Sequence, residues 1–416
     1  MSFYDESLKH QLEELKQNSN YRHFIELSKE SDHFPHAITA QEHIPENVMV
    51  CCSLDYLGMG HHPKVVSAAI ETVKKSGVSS GGSRNLSGTC YQHVELEQEL
   101  ADFHRRDSAL VLNSGYLANQ VAVSVLGSRF EDCIIFSDEL NHASIIEGVR
   151  ASRSDKVIYK HNDISDLELK LSAVEHDRPK IVIFESIYSM EGDIAPVREM
   201  LICAKKYGAL TILNEVHAIG IFGEGGRGIA NDIESQYQPD LIIGSLSKGV
   251  GAFGGYLAGS KTLVDSIRSF GYGLIFTSSL PPSVCAAALA SIRHIRSSNE
   301  ERERLLSNAA FLKQRLGEEN LRIMPSDTHI VPVIVGNSKL CNAISKRLLR
   351  EFGIYAVAVN FPTVPWGTER LRLVATARHT KEMIEELVTA LKICFAEASL
   401  SYSEALQCED LQLEEA

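Results

Sequence analysis

This sequence holds no apolar run of membrane-spanning length, which takes roughly 20 residues. Its nine cysteines contain no C-x-x-C pair, which excludes the usual zinc frames, and their odd number excludes a fully paired disulfide scaffold. Cys51, Cys52, Cys90, Cys133, Cys203, Cys285 and Cys394 lie in or beside apolar segments and read as reduced thiols. Positive charge is in short supply: 41 Lys and Arg against 54 Asp and Glu leave a net charge of −13. That balance excludes nucleic acid or an anionic membrane as the main partner. There is no internal repeat and no low-complexity tract. The opening M-S-F-Y-D-E-S-L-K-H resembles neither a signal peptide nor an arginine-rich transit peptide, so a cytoplasmic location is expected.

What is present suits a globular chain. The 416 residues are 44% hydrophobic and 23% charged, enough for a large core and two domains. Leu8, Leu12 and Leu15 recur at helical spacing, and a second apolar run, Phe24–Leu27, follows Arg22. Val48–Cys52 reads as a strand, and Pro63 starts a helix to about Lys75. The stretch S-G-V-S-S-G-G-S-R-N-L-S-G-T, residues 76–89, is too polar for core and lies between two helical patterns. It is expected to wrap a ligand. A helix over Tyr91–Arg105 and a strand over Ala109–Leu112 lead to N-S-G-Y, a strand–turn–helix junction at Gly115 and Tyr116. Amides at a helix start suit one phosphate, and this turn is neither a Walker loop nor a full dinucleotide fingerprint.

Short strands at Cys133–Phe136, Lys156–Tyr159, Ile181–Phe184, Leu210–Leu213 and Leu241–Ile243 alternate with helical segments. That rhythm predicts an α/β fold with a mostly parallel sheet, whose ligands sit at the carboxyl ends of the strands. His142, Asn214, His217, Ser245 and Lys248 fall at such ends. A lysine after a Ser/Gly-rich strand end, with a polar-x-x-His upstream, is how pyridoxal phosphate enzymes hold their cofactor. The lysine forms the imine and an upstream side chain meets the pyridine nitrogen. From about residue 299 the pattern changes to helices with strands at 329–335, 355–359 and 371–374. The expected division is an N-terminal helical segment over 1–45, a large domain over 46–297, a smaller α+β domain over 298–400 and a disordered acidic tail over 401–416.

Six motifs then carry a resemblance that runs from about residue 5 to about 400. They are D-Y-L-G-M-G (55–60) with its following H-P, S-G-G-S-R-N-L-S-G-T (80–89), L-N-H-A-S-I-I-E-G (140–148), Y-S-M-E-G-D (188–193), E-V-H-A-I-G (215–220) and N-F-P-T-V-P-W-G-T-E-R-L-R (360–372). The chain resembles the α-oxoamine synthases, pyridoxal phosphate enzymes of fold type I, and most of all their 5-aminolevulinate-forming branch. The last motif separates that branch, since sister enzymes typically lack its threonine and its T-E-R. The resemblance implies a large domain with a mostly parallel seven-stranded sheet, a smaller C-terminal α+β domain and a homodimer with shared active sites. It implies condensation of glycine with succinyl-CoA to give 5-aminolevulinate, CoA and carbon dioxide, in tetrapyrrole and heme biosynthesis, with no metal.

Residue roles follow from the same resemblance. Lys248 holds the cofactor and later moves the proton, His142 stacks on the pyridine ring, and Gly115 and Tyr116 hold the phosphate and ring. Ser189, His217 and Ser245 hydrogen-bond the cofactor, while Thr277 and Ser278 reach the phosphate in the neighbouring subunit. Arg372 grips the amino acid carboxylate. Arg22, Asn85, Ser137, Lys156 and Thr363 contact the acyl-CoA, with Arg22, Asn85 and Thr363 directed at the succinyl carboxylate. Three positions depart from the family. Asn214 stands where the family has aspartate, Leu54 where it has asparagine, and Ser83 where it has a threonine beside the substrate carbon. The aspartate keeps the pyridine nitrogen protonated, which an amide cannot do. Two alternatives therefore stay open: a relative using another amino acid or acyl-CoA, and a weakly active or inactive homologue.

Overall fold

The computed structural model describes residues 2–414, with side chains through residue 398. Two compact units divide the chain: Leu54–Ser189 with Asp193–Glu303, and Met1–Ser53 with Met190–Gly192 and Arg304–Ala416.

The first unit is built on seven strands: β1 (Ser108–Leu112), β2 (Ile134–Asp138), β3 (Asp155–Tyr159), β4 (Lys180–Glu185), β5 (Leu210–Asn214), β6 (Leu241–Ser245) and β7 (Gly255–Gly259). Their order across the sheet is β1-β7-β6-β5-β4-β2-β3. Only β7 is reversed, pairing antiparallel with both β1 and β6. The expected mostly parallel seven-stranded sheet is thus present, and six strands end on the same side. Alternate residues of one strand face opposite layers. Ile181 and Ile183 of β4 join a core with Ala122 and Leu126 of the helix Gly115–Arg129. Val182 and Phe184 join another with Met200 and Leu201 of the helix Val197–Lys206. Each such Ile, Val, Leu, Met or Phe side chain contributes roughly 1.5–3 kcal/mol on burial, so these cores fix where the strand ends lie.

Local chemistry sets the helix starts. The Ser114 hydroxyl accepts from the amide of Leu117, capping the helix that begins at Gly115. That helix lies against Ala143–Ser152, and a Cβ on Gly148 would come within 2.9 Å of the Val123 Cβ. The glycine of L-N-H-A-S-I-I-E-G is therefore needed for close packing.

The second unit holds two three-stranded sheets. In one, Asn47–Val50 pairs with His36–Ile38 and with Ile354–Tyr355. In the other, Arg370–Leu373 pairs with Val331–Ile334 and with Ala358–Val359. The stretch expected as one strand over 355–359 is instead divided between both sheets. Because Asn47–Val50 pairs with residues beyond 350, residues 46–53 belong to this unit rather than to the sheet unit. Leucines 8, 12 and 15 do lie in a helix, Phe3–Gln17, but all three are exposed. The backbone continues as helix over Lys381–Glu414, through most of the stretch expected as a disordered tail, and residues 415–416 lie outside the described residues.

Candidate active site

Lys248 follows β6 and is half-buried. Its Nζ lies 2.8 Å from His217 Nε2, and His217 Nδ1 lies 2.7 Å from the hydroxyl of the fully buried Tyr56. An ammonium can only donate, so His217 Nε2 accepts from Lys248 and its Nδ1–H faces the Tyr56 oxygen. One tautomer of His217 serves both contacts. Tyr56 carries no local signal of this contact: it stands in D-Y-L-G, 161 residues before its partner.

Asn214, the last residue of β5, is 2% exposed. Its Oδ1 accepts from the amide of Val216 at 3.0 Å. A backbone N–H cannot accept, which fixes the amide orientation: oxygen toward Val216, Nδ2 away from it. That Nδ2 is buried without a hydrogen-bond partner. A buried orphan donor costs about 1–3 kcal/mol unless something accepts from it.

The neighbouring Glu215 is also buried, yet it is saturated. Its carboxylate accepts from the amides of Ile229 (3.0 Å) and Ala230 (2.8 Å) and from Ser186 Oγ (3.1 Å). Burial pushes its pKa up to about 7 against the pull of those donors.

Gly115 and Ser245 meet across the sheet end: a Cβ on Gly115 would lie 3.3 Å from the Ser245 Cβ and 3.8 Å from Val216 Cγ1. The amide-bearing start of the helix therefore sits beside β5 and β6. Tyr116 is 45% exposed, and its ring meets His142 edge-on, with centroids 6.2 Å apart. His142 caps the next helix, its Nδ1 accepting from the Ser144 amide at 3.1 Å. Its own amide donates to Glu185 Oε1 at 2.6 Å. Burial and then the charge of Lys248 lower the His142 pKa and so favour the neutral ring, in which Nδ1, accepting from Ser144, leaves the proton on Nε2. Ser189 lies in the turn after β4, partly buried.

The polar loop 76–89 docks on the chain after residue 276. Ser83 bridges Ser278, and Ser279 Oγ donates to the carbonyls of Gly88 (2.5 Å) and Gly82 (3.0 Å). A Cβ on Gly88 would lie 2.0 Å from the Gly82 oxygen, so only glycine closes the loop. Asn113 Nδ2 donates to the Ser278 carbonyl at 2.7 Å and lies 3.4 Å from Thr277 Oγ1. Asn85 and Lys156 are exposed, at the loop tip and on the edge strand β3. Ser137, expected to touch a ligand, is only 2% exposed, and its hydroxyl accepts from Asn141 Nδ2 at 2.9 Å. Leu54, in place of the family's asparagine, is 41% exposed.

In the other unit, Arg22 and Thr363 line one cavity of about 900 Å3, together with Lys339 and Lys346. Asn342 and Asn360 brace its floor: Asn342 Nδ2 donates to the Ser19 carbonyl at 2.5 Å and Asn360 Nδ2 to Asn342 Oδ1 at 3.2 Å. Arg372 is 7% exposed in the strand Arg370–Leu373.

These residues fit pyridoxal 5′-phosphate. The orphaned Asn214 Nδ2 offers a donor to a ring nitrogen, the helix start at Gly115 suits a phosphate, and Lys248 supplies the amine. The aminotransferase class I and II family model matches residues 46–391. The chain is 44% identical over 403 residues to a 5-aminolevulinate synthase of Rickettsia felis, covering 97% of this chain and 96% of that one. It is 45% identical over 398 residues to that of Rhizobium meliloti, covering 96% and 98%. Among solved structures, a serine palmitoyltransferase from S. paucimobilis holding PLP and myriocin has a TM-score of 0.88 at 31% identity, with 96% of this chain and 100% of that chain covered. An 8-amino-7-oxononanoate synthase from Francisella tularensis has a TM-score of 0.70 at 25% identity, covering 85% and 99%.

Proposed function

The chain belongs to the aminotransferase class I and II family and, within it, to the α-oxoamine synthases, and on that premise we propose the following division of labour among its residues. The protein is a pyridoxal phosphate-dependent acyltransferase that condenses glycine with succinyl-CoA to 5-aminolevulinate, CoA and carbon dioxide. Bound pyridoxal phosphate supplies a carbonyl carbon that captures the amine and a ring that accepts the electrons left when a proton or carboxylate departs.

The chain's own residues do the rest. Lys248 Nζ holds the cofactor between turnovers and takes the proton from the glycine α-carbon. His217, kept in one tautomer by Tyr56, orients that amine. His142 presents the face of a neutral ring, and its cap on Ser144 prevents rotation. Asn214 Nδ2 donates to the ring nitrogen because Val216 holds its oxygen. Arg372 binds the glycine carboxylate. Arg22, Thr363 and Asn85 bind the succinyl carboxylate and Lys156 the CoA, while Ser137, buried and bonded to Asn141, supports the strand end from within. The retained Arg22 and Thr363 favour a short acidic acyl group, since a long aliphatic chain gains nothing from them.

A homodimer belongs to the same proposal. Leu86, Tyr272 and Phe276 are 84%, 76% and 79% exposed beside Ser83, Thr277 and Ser278. Apolar surface of that size next to site residues suits a second copy, whose cofactor phosphate Thr277 and Ser278 would then bind. A cytoplasmic location is proposed too, supported by the eight described cysteines, all free thiols.

The observation that carries the reading is the Lys248–His217–Tyr56 chain at the carboxyl ends of the sheet. The test is CoA release and product analysis across a panel of amino acids and acyl-CoAs. Glycine with succinyl-CoA is expected to lead and to yield 5-aminolevulinate. Another pair leading by tenfold would replace the substrate assignment.

A further inference from the structure

A cavity of about 300 Å3 opens among Arg105, Arg106 and Arg227, with Asn231, Ile233 and Gln238 on its other walls. It lies at the amino ends of β1 and β6, which begin at Ser108 and Leu241. Lys248 follows the carboxyl end of β6, so the cavity is at the opposite end of the strands from the active site.

The guanidinium groups there are incompletely answered. Glu224 is shared: its Oε2 takes Arg105 Nη2 at 2.9 Å and Arg227 Nη1 at 3.1 Å. Arg106 has a neutral partner, donating from Nη2 to Gln238 Oε1 at 3.0 Å. Gln238 cannot turn to offer more, because its Nε2 donates to the carbonyls of Ala230 (2.5 Å) and Ile233 (2.7 Å). Asp107 and Asp240 attract Arg106, but Asp240 Oδ2 already accepts from the amide and hydroxyl of Thr211 at 2.8 and 2.7 Å. Both Arg106 Nε and Arg227 Nε are buried with no hydrogen-bond partner. Buried donors of this kind are normally satisfied, and these two add to the incompletely answered polarity of the arginines that line the cavity. The neighbouring His104 stays neutral, its pKa lowered to about 3 by burial and then by Arg106 and Arg227. The positive field of the two arginines is thus felt beyond their own contacts.

We propose that this cavity binds a small phosphomonoester, its phosphate held by Arg106 and Arg227 and its organic part against Ile233 and Ile242. Forked guanidinium groups match phosphate oxygens, and a dianion answers two cations where a monocarboxylate answers one. The volume lies at the lower end of the roughly 300–1,000 Å3 of small-molecule sites and would hold about ten waters, more space than a bare oxyanion fills. The apolar wall serves the remainder of such a ligand.

The test uses the full-length, cofactor-loaded protein with saturating CoA, so that the phosphate sites of the reaction are filled. Calorimetric titration with phenyl phosphate, inorganic phosphate and benzoate supplies three arms. Phenyl phosphate is expected to bind saturably, one per chain, with the other two at least roughly tenfold weaker. Arg106→Gln with Arg227→Gln should weaken phenyl phosphate by tenfold or more. Ser235→Glu, an exposed substitution lining the cavity, should weaken it as well while leaving turnover and melting temperature unchanged, and it decides the matter should the arginine variant fold poorly. No saturable binding to the unsubstituted protein, or unchanged affinity in Ser235→Glu, would overturn the site. Benzoate or inorganic phosphate binding as tightly as phenyl phosphate would overturn the phosphomonoester assignment.

Discussion

The sheet unit and the cavity of Arg22 handle polar side chains in opposite ways. At the sheet ends each group is held by a neighbour: Lys248 by His217, His217 by Tyr56, Asn214 by Val216, His142 by Ser144. In the other unit, Arg22 and Thr363 are exposed on the wall of a cavity of about 900 Å3. The difference teaches where change is tolerated. Groups that move protons and electrons must be placed before substrate arrives, because misplacement raises the barrier directly. Groups that select the acyl chain act through binding energy and can be exchanged at the cost of affinity alone.

If that contrast is right, substitutions in the sheet unit should change rates and those in the Arg22 cavity should change Michaelis constants. The largest effect is expected at Lys248. Lys248→Ala should lower condensation at least roughly 10³-fold, as loss of the proton-moving group does. Borohydride reduction of the cofactor-loaded protein followed by peptide mapping should label Lys248 itself, and a label elsewhere would remove that residue from the centre. Asn214→Asp comes next and runs in the opposite direction. A carboxylate there keeps the ring nitrogen protonated, so single-turnover condensation should rise at least roughly a hundredfold, about 2.7 kcal/mol of transition-state stabilisation. Equal rates in both forms would mean another group supports the nitrogen.

Arg22→Leu should raise the Michaelis constant for succinyl-CoA by roughly tenfold to a hundredfold, equivalent to one charge-assisted hydrogen bond, and spare butyryl-CoA. Equal damage to both substrates would make Arg22 structural and blunt the contrast between the units.

The smallest effect concerns stability. His161 sits between Asp138 and Asp193, 2.9 Å from each, with its edge toward the Tyr188 ring. Burial alone would lower its pKa, but the two carboxylates raise it to about 10. A raised folded pKa gives stability that is complete below the unfolded value near 6.5 and is lost as pH rises toward about 10. Melting temperature should therefore fall across that window more steeply than in His161→Gln, whose curve should be flatter. Parallel curves would place the pH dependence elsewhere.

Much of the site was legible because strand ends announce themselves. A short apolar run that stops at a polar residue marks both the strand and the group it delivers, as at Leu213–Asn214 and Ile243–Ser245. Tyr56, Glu185 and Glu215 were not legible as site residues. Their partners lie far along the chain or on the backbone, and no local spacing encodes a contact such as Tyr56 with His217. The boundary expected at residue 46 lies instead after Ser53 for the same reason: the strand expected over Val48–Cys52, within the large domain, pairs through Asn47–Val50 with Ile354–Tyr355. The departure at Asn214 was visible in sequence; only the structure adds that Val216 fixes which end of the amide is left over.

That leftover donor is the centre of the account, and the ring nitrogen it serves can be observed directly. The protein loaded with pyridoxal phosphate enriched in ¹⁵N at the ring should show the chemical shift of an unprotonated nitrogen near neutral pH, hydrogen-bonded to Asn214 Nδ2. In Asn214→Asp the same signal should move to the protonated value. A protonated nitrogen in the unsubstituted protein would contradict the assignment of Asn214 as its donor.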